Sequence, residues 1–259
     1  MKTTGNTILI TGGGSGIGRG LAEAFHKLGN KVIIAGRRKD VLDQTTSANP
    51  GMSSISLDID DPAAILAFAK KVVAEHPALN VLINNSGIMR LEDLVNHPED
   101  LSVPEATITT NLLGPIRLTS ALLPHLTKQS DAVIVNVTSG LAFAPLAFAP
   151  VYSATKAALH SWTESLRYQL GRTGTQVIEL VPPYVQTELT GSRQASDPMA
   201  MPLNDFIAES IQILRSQPGV AEVIVENVKP QRFAAENGTE GYNAMVKGFN
   251  DAVAKMMSA

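Results

Sequence analysis

The sequence predicts an α/β fold: one domain, residues 1–259, built on a parallel sheet of about seven strands with helices on both faces. The first observation is an alternation of short apolar runs, such as residues 7–11 (TILIT), 31–35 (KVIIA) and 79–84 (LNVLIN), with stretches whose apolar residues recur at helical spacing. Unbroken apolar strands are those buried on both faces, and strand–helix–strand alternation is what makes a sheet parallel. The second observation is a run of glycines, from Gly12 to Gly18, directly after the first strand. Glycines there permit a tight turn that aims backbone N–H groups at an anion from a helix N-terminus, the nucleotide-binding corner of a Rossmann-type doubly wound sheet.

The elements follow in order. After the glycine turn, Ile17, Leu21, Ala24, Phe25 and Leu28 mark a helix, and 31–35 a second strand. A short helix begins near Val41 and stops at Asn49-Pro50-Gly51, and 53–58 alternates into a third strand. Pro62 opens a helix that ends at His76-Pro77, and 79–84 is the fourth strand. A long helix is expected over 104–128, bent at Gly114-Pro115, then a fifth strand at 132–137. The helix carrying Tyr152 runs to about Gly171, and 175–181 is a sixth strand ending in Pro182-Pro183. Residues 184–202 read as a loop and 205–216 as a helix, so about 184–216 forms a lid-like segment. A seventh strand falls at 221–226, and 242–257 is a helical tail with no role visible in the pattern.

Composition narrows the function classes. The chain is 44% hydrophobic, enough for one large core, and its formal charge of -3 argues against nucleic acid or an anionic membrane as a partner. Arg37, Arg38 and Lys39 are the local basic exception. Without cysteine there is no disulfide framework, thiolate nucleophile or zinc knuckle, and no metal site is expected. With no signal-peptide pattern and no long apolar run, the expectation is a cytoplasmic protein.

The turn reads G-x-x-x-G-x-G through Gly12, Gly16 and Gly18, which is neither strict G-x-G-x-x-G nor a P-loop. At the end of the second strand, where a carboxylate commonly meets ribose hydroxyls, stand Gly36, Arg37 and Arg38. A guanidinium holds a 2′-phosphate that a carboxylate would repel, although a solvated basic turn reads the same way. NADP(H) is therefore favoured over NAD(H), centred on Arg37 with Ser15 and Arg38 in support. Further on, Tyr152 and Lys156 stand four apart, on one helix face and a turn from each other. A phenol titrates near pH ~10, and a neighbouring cation brings it closer to working pH. An amphipathic helix with one aromatic and one snorkelling lysine has the same spacing, so the pair alone decides little. Leu141, Phe143, Phe148, Tyr184, Leu189, Met199 and Met201 are expected to line an apolar substrate pocket, with core packing as their other role. His160, with no partner visible in sequence, is read as a packing residue.

Taken together and in this order, the motifs make the chain resemble the short-chain dehydrogenase/reductase family over essentially its whole length. TGGGSGIG is similar to the family's T-G-x-x-x-G-x-G turn, and Asn84-Asn85-Ser86-Gly87 to its N-N-A-G strand end. Asn111, Ser139, Tyr152 and Lys156 fall at the positions of the family's catalytic tetrad, and VTSGLAF, PVYSATKAALHS and VPP resemble its DltE-type branch. The resemblance implies reversible hydride transfer between a nicotinamide and a carbonyl carbon. Tyr152 would be general acid/base, Lys156 would lower the tyrosine's pKa and hold the nicotinamide ribose, and Ser139 would donate to the substrate oxygen. Asn111 would interrupt its helix and hold a water linking Lys156 to solvent. Cofactor contacts are implied for Gly12, Gly14, Ser15, Gly16, Ile17, Gly18, Arg37, Arg38, Asp58 as adenine-contacting acid, Ile59, Asn85, Ser86, Gly87, Tyr152, Lys156, Pro182, Val185 and Thr187. Substrate contacts are implied for Ser139, Leu141, Phe143, Phe148, Tyr152, Tyr184 and Leu189. Pro183 departs from the family's Pro-Gly and removes an N–H from that loop. An NADPH-dependent carbonyl reductase is thus the leading expectation, as a homodimer or homotetramer joined through the long helices. An NAD-linked alcohol dehydrogenase and a non-catalytic nucleotide-binding sensor are the alternatives.

Overall fold

The structure, a computed structural model, describes residues 1–96 and 101–258. Its seven strands are β1 (Thr7–Thr11), β2 (Lys31–Gly36), β3 (Ser53–Ser56), β4 (Leu79–Asn84), β5 (Val133–Val137), β6 (Gln176–Val181) and β7 (Glu222–Ile224). They form one sheet in the order β3-β2-β1-β4-β5-β6-β7, parallel throughout. Successive strands step outward from β1 to β3, after which the chain returns to β4 and steps the other way. The connections leaving β1 and β4 therefore part to opposite faces and open a crevice at the strands' carboxyl ends.

Among the described residues there are ten α-helices, the longer of which flank the sheet: α1 (Gly16–Lys27), α2 (Lys39–Ala48), α3 (Pro62–Glu75), α4 (Ser102–Ile108), α5 (Gly114–Leu126), α6 (Pro150–Leu170), α7 (Ser192–Ala195), α8 (Leu203–Ser216), α9 (Lys229–Arg232) and α10 (Gly238–Ser258). The period of two along each strand sorts the apolar residues into two cores. Ile8, Ile10, Val32 and Ile34 pack against Leu21 and Phe25 of α1 and Phe206 of α8. Leu9, Ile33, Ala35 and Leu82 pack on the other side, against Phe68 and Val72 of α3, Leu118 of α5 and Leu166 of α6.

Three expectations change. The long helix over 104–128 is three pieces, because a π-helical turn at Thr109–Leu113 separates α4 from α5. Pro115 has no N–H to give the carbonyl of Asn111 four residues earlier, so the turn widens just ahead of it. The lid-like segment at 184–216 divides as well. Phe206 of α8 is wholly buried and Ile207 packs on Gly20 of α1, so 203–216 is core and only 184–202 arches over the crevice. That arch is pinned by a bridge between Val185 and Met201 and by the Gln194 amide, which bonds Val185 O and Thr187 Oγ1. Finally, the seventh strand is only three residues long, and the chain beyond it folds into short helical turns before α10. No helix among the described residues is long and apolar enough to cross a membrane.

Candidate active site

The crevice begins at the glycine turn. Gly12 and Gly16 sit at φ 65° and 52°, a left-handed region that glycine enters without strain. Asn85 at the end of β4 locks this turn, its Nδ2 donating to Thr11 O at 3.0 Å, while Thr11 Oγ1 accepts from the N–H groups of Asn85 and Ser86, both at 3.0 Å. Gly18 does not border the cleft, as the sequence suggested, but packs against the turn from below. A Cβ there would lie 2.3 Å from Gly12 O and 2.4 Å from Asn85 Nδ2. Gly18→Ala is accordingly expected to cost about 2–3 kcal/mol through overpacking and to weaken nucleotide binding. Urea unfolding with Gly248→Ala as control checks this, since a Cβ at Gly248 meets nothing within 4 Å; equal midpoints for the two variants would contradict it.

The cleft then runs past Gly14, Ser15, Ile17, Arg37, Arg38 and Ile59 at one end to Ser86, Gly87, Ser139, Tyr152, Lys156, Pro182, Pro183 and Thr187 at the other. The two arginines behave differently from expectation. Arg37 Nη1 is 3.1 Å from Asp60 Oδ2, and Asp60 is held in turn by Thr110 Oγ1 at 2.6 Å. Arg38 Nη2 instead donates to Ser15 Oγ at 3.1 Å, so it is Arg38 that stands over the glycine turn. Asp58, expected at the adenine, is exposed and its carboxylate accepts from the Asp60 N–H at 3.1 Å. Its neighbours Leu57 and Ile59 form the wall there.

The cradle fits a dinucleotide. Ser15 caps α1 without spending its side chain on a backbone N–H, which leaves the helix N-terminus open to a phosphate. A Cβ at Gly87 would come 3.3 Å from Asn111 Oδ1 and 3.8 Å from Lys156 Nζ, so the glycine keeps the cleft wall clear beside these groups and a side chain there would press on Asn111.

At the reacting end, Tyr152 and Lys156 project from the first turns of α6 and both are buried. Lys156 Nζ donates to Val137 O at 2.8 Å and lies 5.6 Å from the centre of the Tyr152 ring. Burial pushes the phenol up to about 12, with a hydrogen bond to Ser139 pulling the other way. Burial also lowers Lys156 to about 8, opposed by the charge of Glu179. The expected lowering of the tyrosine by its lysine is not seen: burial raises the phenol, and Ser139 rather than Lys156 opposes it. Ser139 Oγ accepts from Leu141 N–H at 3.1 Å and keeps its own proton for another partner. Asn111, fully buried in the π turn, clamps the backbone of Ile88: its Oδ1 accepts from Ile88 N–H and its Nδ2 donates to Ile88 O, both at 2.8 Å.

Of the apolar candidates for the substrate side, Leu189 borders the cleft, as does Val185, which was expected at the cofactor. Leu141 and Phe148 pack around Tyr152 together with Met89 and with Phe249 and Val253 of α10. Phe143 turns away: its ring meets His160 edge-on at 4.7 Å and Arg232 at 4.6 Å. Met201 is in the core, Met199 is 74% exposed, and Tyr184 donates to Asp197 at 3.1 Å on the outer side of the arch. His160 is not partnerless, because its Nδ1 lies 2.7 Å from the carboxylate of fully buried Glu179. The sequence reading passed over Glu179, although a lone acid inside the apolar run VIELV is the signal of a paired buried charge. Nothing in the sequence singled out Gln194 or Thr110.

With this geometry in view, the comparisons with known proteins are specific. The family model for short chain dehydrogenase matches residues 6–198. An uncharacterised oxidoreductase of Bacillus subtilis (strain 168), DltE, is 47% identical over 189 residues, covering 73% of this chain and 75% of the relative. A short chain dehydrogenase from Burkholderia cenocepacia, solved in complex with NADP, superposes with a TM-score of 0.81 at 23% identity, over 95% of this chain and 99% of that one. A 3-ketoacyl-(acyl-carrier-protein) reductase from Brucella melitensis complexed with NADH reaches 0.78 at 26% identity, over 89% and 100%. The family model spans the glycine turn, both arginines and the Ser139, Tyr152 and Lys156 cluster, and the chain belongs to the short-chain dehydrogenase/reductase family of oxidoreductases, in the branch of the B. subtilis DltE protein.

Proposed function

We propose that the protein is an NADPH-dependent carbonyl reductase whose general acid is Tyr152. The observation that carries this reading is the meeting of Ser139, Tyr152 and Lys156 at one end of the nucleotide cleft, where burial pushes the phenol up to about 12 and so keeps its proton on it at neutral pH. That suits protonation of a carbonyl oxygen, whereas alcohol oxidation requires the phenolate first and is the harder direction at neutral pH. A bound nicotinamide supplies the hydride, and the protein's own groups place the carbonyl and manage the proton. The Ser139 hydroxyl, with its oxygen already accepting from Leu141, can turn its one proton from the Tyr152 phenol to the carbonyl oxygen as negative charge builds there. Lys156 has ammonium protons beyond the one given to Val137 O, available to a ribose hydroxyl, and Asn111 fixes the wall of the cleft by clamping Ile88. Leu189, Leu141 and Phe148 give the substrate side an apolar character that favours an aromatic or bulky ketone, a ketoester or an aldehyde.

Preference for NADPH is assigned to Ser15 and Arg38 as the 2′-phosphate subsite, flanked by Arg37. A panel of such carbonyls, followed by loss of NADPH absorbance, tests the reading; turnover only in the oxidative direction with NAD would overturn it. Arg38→Ala is expected to lower kcat/KM with NADPH by about tenfold or more while changing NADH about threefold at most. Arg37→Ala should do less, since Asp60 already holds that guanidinium. Equal losses with both cofactors would remove Arg38 from the phosphate site.

A further inference from the structure

The reacting groups are held from behind by a charged cluster that the proposed mechanism does not use. Glu179 is fully buried within β6 and both its oxygens are engaged. Oε1 accepts from Thr138 Oγ1 at 2.7 Å, and Oε2 lies 2.7 Å from His160 Nδ1. Thr138 stands between Val137, whose carbonyl holds Lys156, and Ser139. His160 is one helical turn beyond Lys156 on α6. One carboxylate therefore ties the end of β5 to α6 on either side of the Lys156 ammonium.

The surroundings complete the charge pattern. Glu164 of α6 approaches His160 at 3.8 Å, and Glu222 of β7 is paired with Arg232 of α9 at 2.8 Å. Arg232 also lies over the ring of Phe143, and Glu236 adds its charge from the turn after α9. His160, Glu179 and Glu222 lie close enough together to suggest metal ligands. However, Arg232 already supplies a cation on Glu222, and His160 is bonded to Glu179, so the cluster is balanced from within. The His160 pKa is raised, first by its hydrogen bond to Glu179. The charge of Glu179 also opposes the fall that burial imposes on Lys156. A buried carboxylate is costly unless paired and fully bonded, and this one has its partners placed around the site.

We propose that Glu179 is a positioning residue of the reduction: it fixes the strand end that carries Val137, Thr138 and Ser139, and lends Lys156 a buried counter-charge that His160 modulates. This rests on the carbonyl-reductase reading. Glu179→Gln keeps an oxygen to accept from Thr138 but removes the charge, and His160→Gln keeps the charge but removes its cationic partner. The basic limb of the kcat/KM profile for carbonyl reduction, and the pH at which the NADPH Kd begins to rise, are expected to move down by roughly one pH unit in Glu179→Gln. Both should move up in His160→Gln. At pH ~8 the Glu179→Gln enzyme should retain roughly a fifth of wild-type kcat/KM.

A purely structural Glu179 would lower the thermal midpoint and leave both pH dependences where they are, and that result overturns the proposal. If Glu179→Gln does not fold, an unmoved profile in His160→Gln overturns it equally. A wild-type protein that binds NADPH but reduces no carbonyl would instead remove the functional reading on which the proposal stands.

Discussion

Tyr152→Phe is expected to lower kcat for carbonyl reduction about a thousandfold while leaving the NADPH Kd within about twofold. The substitution removes one oxygen and little else. The ring sits among Leu146, Ala149, Met89, Phe148 and the α10 residues Phe249 and Val253, contacts that phenylalanine makes equally well. Stability should therefore change by no more than about 1 kcal/mol, the net worth of the hydrogen bond with Ser139. Loss of rate without loss of cofactor would place the phenol at the proton-transfer step rather than in the cradle. A variant within tenfold of wild-type kcat would show that another acid protonates the oxygen. Stopped-flow single turnover with NADPH distinguishes this from a change in product release, and fluorescence titration gives the Kd.

How far the sequence discloses this site depends on the range over which each part is determined. The sheet, the glycine turn and the helix of Tyr152 are legible because their causes are local: unbroken apolar runs, turn chemistry and helical spacing within one segment. Family spacing picked out Ser139 and Asn111, which the fold brings to the Tyr152 and Lys156 end of the cleft. Side-chain direction was not legible. Arg37 and Arg38 are adjacent in sequence, and the choice between them is made by Asp60 and Ser15, each 23 residues away along the chain. Phe143 fits an apolar pocket as well as a core by composition, and Arg232 and His160 decide the matter from two other elements. The Glu179 cluster joins β5, β6, β7, α6 and α9, so its members carry meaning only once the sheet order is known.

Lys156→Met should make the folded protein more stable at neutral pH as it removes activity. The lysine titrates near 8 in the folded chain, against 10.5 ordinarily, because its charge is buried. Between those values the unfolded chain binds the proton that the folded chain has released, so stability rises with pH from about 8 to 10.5. Below 8 the folded protein carries the whole penalty of the buried ammonium, on the order of 3 kcal/mol. Methionine avoids that penalty at similar volume, but leaves Val137 O without its donor at a cost of about 1–2 kcal/mol. The expected net gain at pH 7 is about 1–2 kcal/mol in urea unfolding, shrinking and then reversing as the pH is taken towards 10.5. Turnover should fall about a thousandfold, since the site loses the only cation held against the Tyr152 ring among the described residues. A variant destabilised by more than about 1 kcal/mol at pH 7 would mean that Glu179 compensates the ammonium fully. In that case the cleft stores no strain at Lys156, and its stability would be independent of pH across the same window.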